Sequence, residues 1–389
     1  MRSYLARAAL AGALVAIGVA ATRSAPAGAM PNFAQAYGVD CSRCHTAVPL
    51  LNAYGRYIQR SQYAYLEAAV LKKALPVWLD DQTAYDSQAG APDTHRVIAG
   101  NVGIHLDGLA NQDWSYHVQQ WLYSDNAPGG LDTAWVAYNN LFHRNGYLEI
   151  GKLEVPAPSP YSQVFEISPY ALPEITVGEH AYELDGNRWG AKLGYLAGSL
   201  SADVAYVGSD ADLNGATDWL PAAGKTLQYR AAFMRPKDPL EAGVYGASGT
   251  YPISDGRIDR FSALGAYVQR DPTNGIPGVF FVYQTTNDRY PFAGASAPAV
   301  SHGYALDVFE PVYKDIVVVG VRRELLNDGM GDQSSVGNVD MTVRVAKYMH
   351  LYLEAGLSGT NTGNGVDRIG TPAWRAFLWW SMPVAKPRP

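Results

Sequence analysis

The chain has 389 residues, with 36 acidic against 30 basic side chains, a formal net charge of −6, 48% hydrophobic residues and only 17% charged ones. That balance offers no basic stripe and excludes a nucleic-acid partner. The 26 tyrosines and 9 tryptophans in so sparingly charged a chain suit strands that face lipid between aromatic girdles.

Arg2 and Arg7 precede an apolar run from Ala8 to Ala21, and the stretch closes on Ala-Gly-Ala before Met30. This is the pattern of a secretory signal peptide over residues 1–29. As an anchor helix the run falls short of the roughly 18–20 apolar residues that a bilayer demands. The mature chain is expected to begin near Met30, outside the cytoplasm.

Residues 30–74 form a short, non-repetitive unit. It holds the two cysteines of the chain in the pentapeptide Cys41-Ser42-Arg43-Cys44-His45. Two thiols three positions apart, followed at once by histidine, are the attachment signal for one covalent haem c. Each sulfur forms a thioether to a vinyl group, and His45 ligates the iron as the proximal ligand. A zinc site would want four N/S ligands, and no second cysteine pair exists. A thioredoxin-like pair would want a βαβ context, which is missing. A carbonyl at or near Pro49 is expected to orient the His45 ring. Leu50, Leu51, Tyr54, Tyr57 and Ile58 then fall at helical spacing, which predicts an amphipathic helix beginning beside Pro49. So few residues cannot bury a core alone, so the unit needs a haem to wrap or a barrel to sit in.

From residue 75 to 389 the period changes to two. Leu200, Ala202, Val204 and Tyr206 alternate with Ser201 and Asp203. Leu351, Leu353 and Ala355 alternate with His350, Tyr352 and Glu354. The joins alternate between short ones, such as His143–Gly146 and Leu196–Ser199, and long ones, such as Gly208–Thr226 and Thr285–His302. The fold class is therefore all-β: an outer-membrane β-barrel of about 16 antiparallel strands behind the small helical segment. The longest join, Val155 to Asn187 between the fifth and sixth strands, is expected to fold into the lumen.

Strand parity narrows the second iron ligand. Val102, Ile104 and Leu106 share the lipid face of one strand, leaving His105 and Asp107 in the lumen. Trp114, Tyr116 and Val118 do the same on the next, leaving Ser115 and His117 inside. His105 and His117 are thus the distal candidates, near neighbours across the short join Gly108–Gln112, with plain pore lining as the competing reading. Met234, His350 and Met30 are weaker alternatives, and Met341 shares a face with Val343. Glu179, His180, Glu183 and Asp185 cluster in the long join, and Asp210, Asp212 and Asp218 make a further loop acidic. Oxygen and imidazole donors suit Fe(II), although solvated surface acids give the same pattern.

Pro31, Phe33, Gly38, the Cys41/Cys44/His45 motif, Pro49 and the Leu51–Gly55 run resemble the fused cytochrome–porins of the bacterial outer membrane, of the iron-oxidising outer-membrane cytochrome type. The specific residues lie between Met30 and about Arg60, while the order of parts covers nearly the whole mature chain. The resemblance implies an Fe(II)-oxidising cytochrome in outer-membrane lipid. It would take electrons from extracellular Fe(II) and pass them to a periplasmic cytochrome or copper protein. Two rivals stand beside it: a diffusion porin whose haem-bearing segment is only a plug, and a general electron conduit with another donor.

Overall fold

Alternation along each strand decides the architecture, because a strand with one polar and one apolar face must find a different medium for each. In the computed structural model, residues 30–86, 96–124, 127–162, 167–208, 225–314, 316–362, 366–369 and 373–384 are described. The expected signal peptide 1–29 and the loop with Asp210, Asp212 and Asp218 lie outside the described residues.

Sixteen antiparallel strands close on themselves. They are β1 (Val77–Asp86), β2 (Arg96–Asn111), β3 (Trp114–Ser124), β4 (Leu131–Leu141), β5 (Gly146–Glu154), β6 (Asn187–Ala197), β7 (Leu200–Gly208) and β8 (Lys225–Phe233). The second half continues with β9 (Leu240–Pro252), β10 (Ile258–Arg270), β11 (Gly278–Asp288), β12 (Ala299–Tyr313), β13 (Val317–Asn327), β14 (Gln333–Ala346), β15 (Met349–Thr362) and β16 (Ala373–Pro383). The last strand closes the cylinder against the first, from Arg375 beside Asp86 to Pro383 beside Trp78.

The barrel is apolar outside and polar inside. On β10, Ile258, Leu264 and Val268 are exposed while Asp259 and Gln269 are fully buried. On β12, Val300, Tyr304, Leu306 and Val308 point out, and Ser301 and Asp307 point in. A soluble sandwich would put the apolar set inside, so this inverted pattern selects a wall meant for lipid. Among the described residues no helix is long and apolar enough to cross a membrane.

The strands run further into their joins than the pattern predicts. Leu109 pairs with Ser115 and Asn111 with Trp114, so the expected five-residue connection shrinks to Gln112–Asp113. Gln112 is spent on tertiary contacts, donating to the carbonyls of Ala64 and Leu66.

Residues 30–76 lie inside the cylinder. Helix α1 (Pro31–Tyr37), a turn at Cys41–Arg43, a small ladder of His45–Ala47 with Leu50–Leu51, helix α2 (Ala53–Arg60) and the short α3 (Ala68–Leu71) follow in order. The helix predicted from Pro49 begins instead at Ala53, because Leu50 and Leu51 are taken by the ladder. Asn52 then caps α2, its Oδ1 accepting the Gly55 N–H at 3.0 Å.

The segment binds the wall on every side. Arg56 pairs with Glu241 at 2.9 Å and with Asp271 at 2.7 Å, and Arg60 reaches Glu241 at 2.8 Å. Asn32 donates to the Asp107 carbonyl, Asn139 to that of Gln62, and the Tyr352 hydroxyl to that of Val48 at 2.6 Å. Phe33, Ile58, Tyr63, Leu66 and Leu71 complete an apolar cluster with Leu109, Trp135 and Leu153 of the wall.

The segment between β5 and β6 also enters the lumen, as expected. The Tyr170 hydroxyl donates to Asp307, the Ala171 and Leu172 amides donate to Glu324, and the Ser168 amide donates to Glu354 at 2.8 Å. Tyr161, Tyr170, Leu172 and Tyr182 are buried against Tyr245, Tyr267 and Phe280.

Arg56→Ala leaves the buried Asp271 without its cation and Glu241 with Arg60 as its close partner, a loss of about 3–5 kcal/mol. The expected outcome is a barrel that still folds but a 30–76 segment that undocks. It is read as faster protease cleavage within that segment and a higher single-channel conductance in planar bilayers. Unchanged cleavage and conductance would contradict the docking role.

Candidate functional site

The cysteine motif is folded by its own turn and by the helix behind it. The Cys44 amide donates to the Cys41 carbonyl at 2.8 Å, closing one tight turn, and the Asn52 amide donates to the Cys44 carbonyl at 2.9 Å. Gly55 of α2 packs on that same carbonyl, and a Cβ there would collide with it and with Leu51. This explains why the Leu51–Gly55 run belongs with the motif. Neither cysteine is in a disulfide; Cys41 is buried and Cys44 half-buried.

His45 follows with its side chain oriented. Its Nδ1 lies 2.7 Å from the Pro49 carbonyl. A carbonyl only accepts, so Nδ1 carries the proton and Nε2 keeps its lone pair. Burial pulls the His45 pKa from 6.5 down to about 4 against the opposing effect of the Pro49 hydrogen bond. The ring is neutral at neutral pH.

Cys44 and His45 open on a cavity of about 720 Å³ inside the barrel. That is the size of a pocket for a large cofactor. Its walls include Phe33, Tyr54, Trp78, Trp121, Phe377 and Trp379. Cys41 packs on Val48 and Trp379, at the edge of the same space. It also lines a crevice of about 20 Å³ with His45, Arg344 and His350.

The two distal candidates both line the large cavity, yet their chemistry differs. On β2, His105 is held by its Nε2, 3.0 Å from Asp80 Oδ1, and is stacked on Trp78 with ring centroids 3.6 Å apart. Its Nδ1 is buried and has no hydrogen-bond partner among the described residues. On β3, His117 spends both nitrogens: Nδ1 on Asp107 and Nε2 on Thr133 Oγ1 at 2.6 Å. Asp107 also accepts the indole N–H of Trp78 at 2.5 Å. The rings of His105 and His117 lie 6.5 Å apart, as diagonal neighbours on adjacent strands. Met30 lines the cavity as well. Met234 is buried elsewhere, beyond the end of β8. His350 faces the Cys41 crevice instead.

Parity placed both histidines inside but could not separate them, because the separation rests on Asp80 and Thr133, which come from β1 and β4. The acidic cluster of the long join does not assemble. Glu179 accepts from the Ser254 and Ala293 amides at the rim, while His180 turns inward to Asp288 at 2.7 Å.

No protein-family model matches the chain, and no curated protein matches it. Solved structures do. The anion-selective porin from Comamonas acidovorans matches with a TM-score of 0.59 and 12% identity, over 79% of this chain and 98% of that one. OmpT of Vibrio cholerae matches with a TM-score of 0.57 and 11% identity, over 78% and 96%. The outer-membrane channel DcaP of Acinetobacter baumannii gives 0.56 and 10%, over 79% and 96%. The likeness is one of fold. It covers the porin-type barrel and leaves the function of the lumen to the residues inside it.

Burial pushes the Cys44 thiol from 9.0 up to about 11, with Arg43 opposing. In a Cys41→Ala variant, alkylation of Cys44 by iodoacetamide at pH 7.5 is expected to run roughly 100-fold slower than for an ordinary cysteine. The rate should rise about tenfold per pH unit as the thiolate forms. A plateau reached below pH ~9 would show a thiol of ordinary acidity.

Proposed function

We propose that the protein is an outer-membrane electron-transfer protein that carries one covalent haem c inside a porin-type barrel. It oxidises extracellular Fe(II) and reduces a periplasmic cytochrome or copper protein. The observation that carries this reading is the shared cavity: Cys44, His45 and a second oriented histidine all line one space large enough for a macrocycle.

Cys41 and Cys44 hold the group, and His45 offers Nε2 because Pro49 fixes its tautomer. His105 would offer Nδ1 to the iron of a bound haem, its ring oriented by Asp80 as carboxylates do for metal-bound histidines. His117 is a structural residue in this scheme, tied to Asp107 and Thr133. When bound, haem c supplies a one-electron couple whose potential follows from its ligands and burial. Trp78, Phe377 and Trp379 give the space apolar walls, and the lipid-facing wall supports an outer-membrane location.

A second reading is a diffusion porin with residues 30–76 as its plug, and the likeness to solved porins favours it. The lumen contacts of the plug serve that reading equally well, with the cysteine motif then holding a haem that takes no electrons from Fe(II).

One measurement separates the two. The chain is matured with haem, purified in detergent and titrated with Fe(II) as the sole reductant. The expected outcome is a haem that reduces in step with added Fe(II), and no covalent haem in Cys41→Ala or Cys44→Ala. A colourless protein, or a haem that stays ferric while the barrel conducts ions, overturns the electron-transfer reading.

The two histidines are then distinguished by substitution. His105→Ala is expected to shift the reduction potential of the bound haem and to let it take up carbon monoxide. His117→Ala is expected to change stability by about 1–3 kcal/mol through its orphaned Asp107 and Thr133 partners, and to leave the haem spectrum unchanged. Equal spectra for all three proteins would point to Met30 or another donor.

A further inference from the structure

We infer that His180, Asp259 and Asp288 form a binding site for one divalent first-row transition-metal cation, inside the barrel at the end opposite the short turns. The site is separate from the cysteine motif and does not depend on the haem reading.

Three chain segments build it. His180 sits in a two-residue ladder of the inward segment, Asp259 near the start of β10 and Asp288 at the end of β11. All three side chains are fully buried. One donor atom from each lies within 4.8 Å of the others. Nδ1 of His180 is 2.7 Å from Asp288 Oδ1, and the Tyr182 hydroxyl donates to Asp288 Oδ2 at 2.8 Å. The Tyr290 amide donates to Asp259 Oδ1 at 2.7 Å. Oδ2 of Asp259 is buried and has no hydrogen-bond partner among the described residues.

Charge explains why that oxygen matters. Two carboxylates side by side without water cannot both stay ionised unless something positive joins them. No arginine or lysine pairs with either one among the described residues. A dication between two carboxylates and a neutral imidazole brings the buried set to zero net charge and gives the orphaned oxygen its partner. When the metal enters, a protonated His180 ring gives up to solvent the Nδ1 proton that it shares with Asp288 and stays neutral with its other proton on Nε2.

The donor set also selects the cation. Carboxylate oxygens suit hard ions and imidazole suits Fe, Zn and Ni, so a mixed set favours the first-row divalent ions over Ca²⁺ or Mg²⁺. Around the ring, Tyr182, Tyr251 and Phe261 stand with centroids 3.9, 4.3 and 4.5 Å away and hold the imidazole in place. Because His180 belongs to the inward segment and the aspartates to the wall, a bound cation also fastens that segment to the barrel. The rival account is a His–Asp hydrogen bond that tethers the segment without metal, the two carboxylates sharing a proton.

The full-length protein in detergent, stripped with chelator, is titrated with Zn²⁺ by calorimetry, and its thermal unfolding is followed with and without the ion. The expected result is one equivalent bound and a midpoint that rises with Zn²⁺. Asp259→Asn removes one charge while keeping the shape, so it folds at least as well as the parent. It should weaken binding at least tenfold and abolish the Zn²⁺-dependent rise. Mn²⁺ bound to the parent should show imidazole nitrogen coupling in its paramagnetic resonance spectrum, absent in His180→Gln. Failure to bind one equivalent, or binding that Asp259→Asn and Asp288→Asn leave unchanged, overturns the site and supports the metal-free tether.

Discussion

The ion-pair knot of Arg56 and Arg60 with Glu241 and Asp271 is the constraint on which the arrangement of the lumen depends. The N-terminal segment is too short to keep a core of its own, so its fold is borrowed from the wall. Buried guanidinium groups are costly to desolvate, and two wall carboxylates offset that cost here. Asp271 binds the same helix a second way, its Oδ2 accepting the Ala53 amide at 2.7 Å. With α2 anchored there, Gly55 sits under the Cys44 carbonyl, and the cysteine turn takes the orientation that opens on the cavity.

The second inward segment depends on the first less than on the wall. Its amides and tyrosine hydroxyls are met by Asp307, Glu324, Glu354 and Asp288, which are acidic side chains from β12, β13, β15 and β11. The two segments touch through Arg60 and Ser159 at 2.8 Å. A porin wall is thereby turned from an open cylinder into a container. One end of it holds a large aromatic-lined cavity beside the cysteine motif, and the other holds a buried His–Asp cluster.

The barrel and its strand count were readable from the residues, because side chains on a strand face opposite media and the period of two is local. The lipid-facing set on β7 and the lumen set on β15 stand where alternation put them. Some local readings missed. The α2 start moved from Pro49 to Ala53, and the β2–β3 join shortened, in each case because pairing with another segment outweighed the local pattern. The motif Cys41, Cys44 and His45 was equally legible, since covalent spacing is a property of the chain alone.

By itself the sequence determined that this chain makes lipid-facing strands and carries a thiol pair next to a histidine. Both follow from neighbours within a few residues. Only the tertiary structure decided that His105 keeps a donor nitrogen while His117 does not, since Asp80 and Thr133 reach them from other strands. It also decided that His180 leaves its acidic neighbours for Asp288, more than 100 residues away. Such choices turn on which partner a closed barrel brings to a buried polar atom, and no local pattern encodes that distance in space.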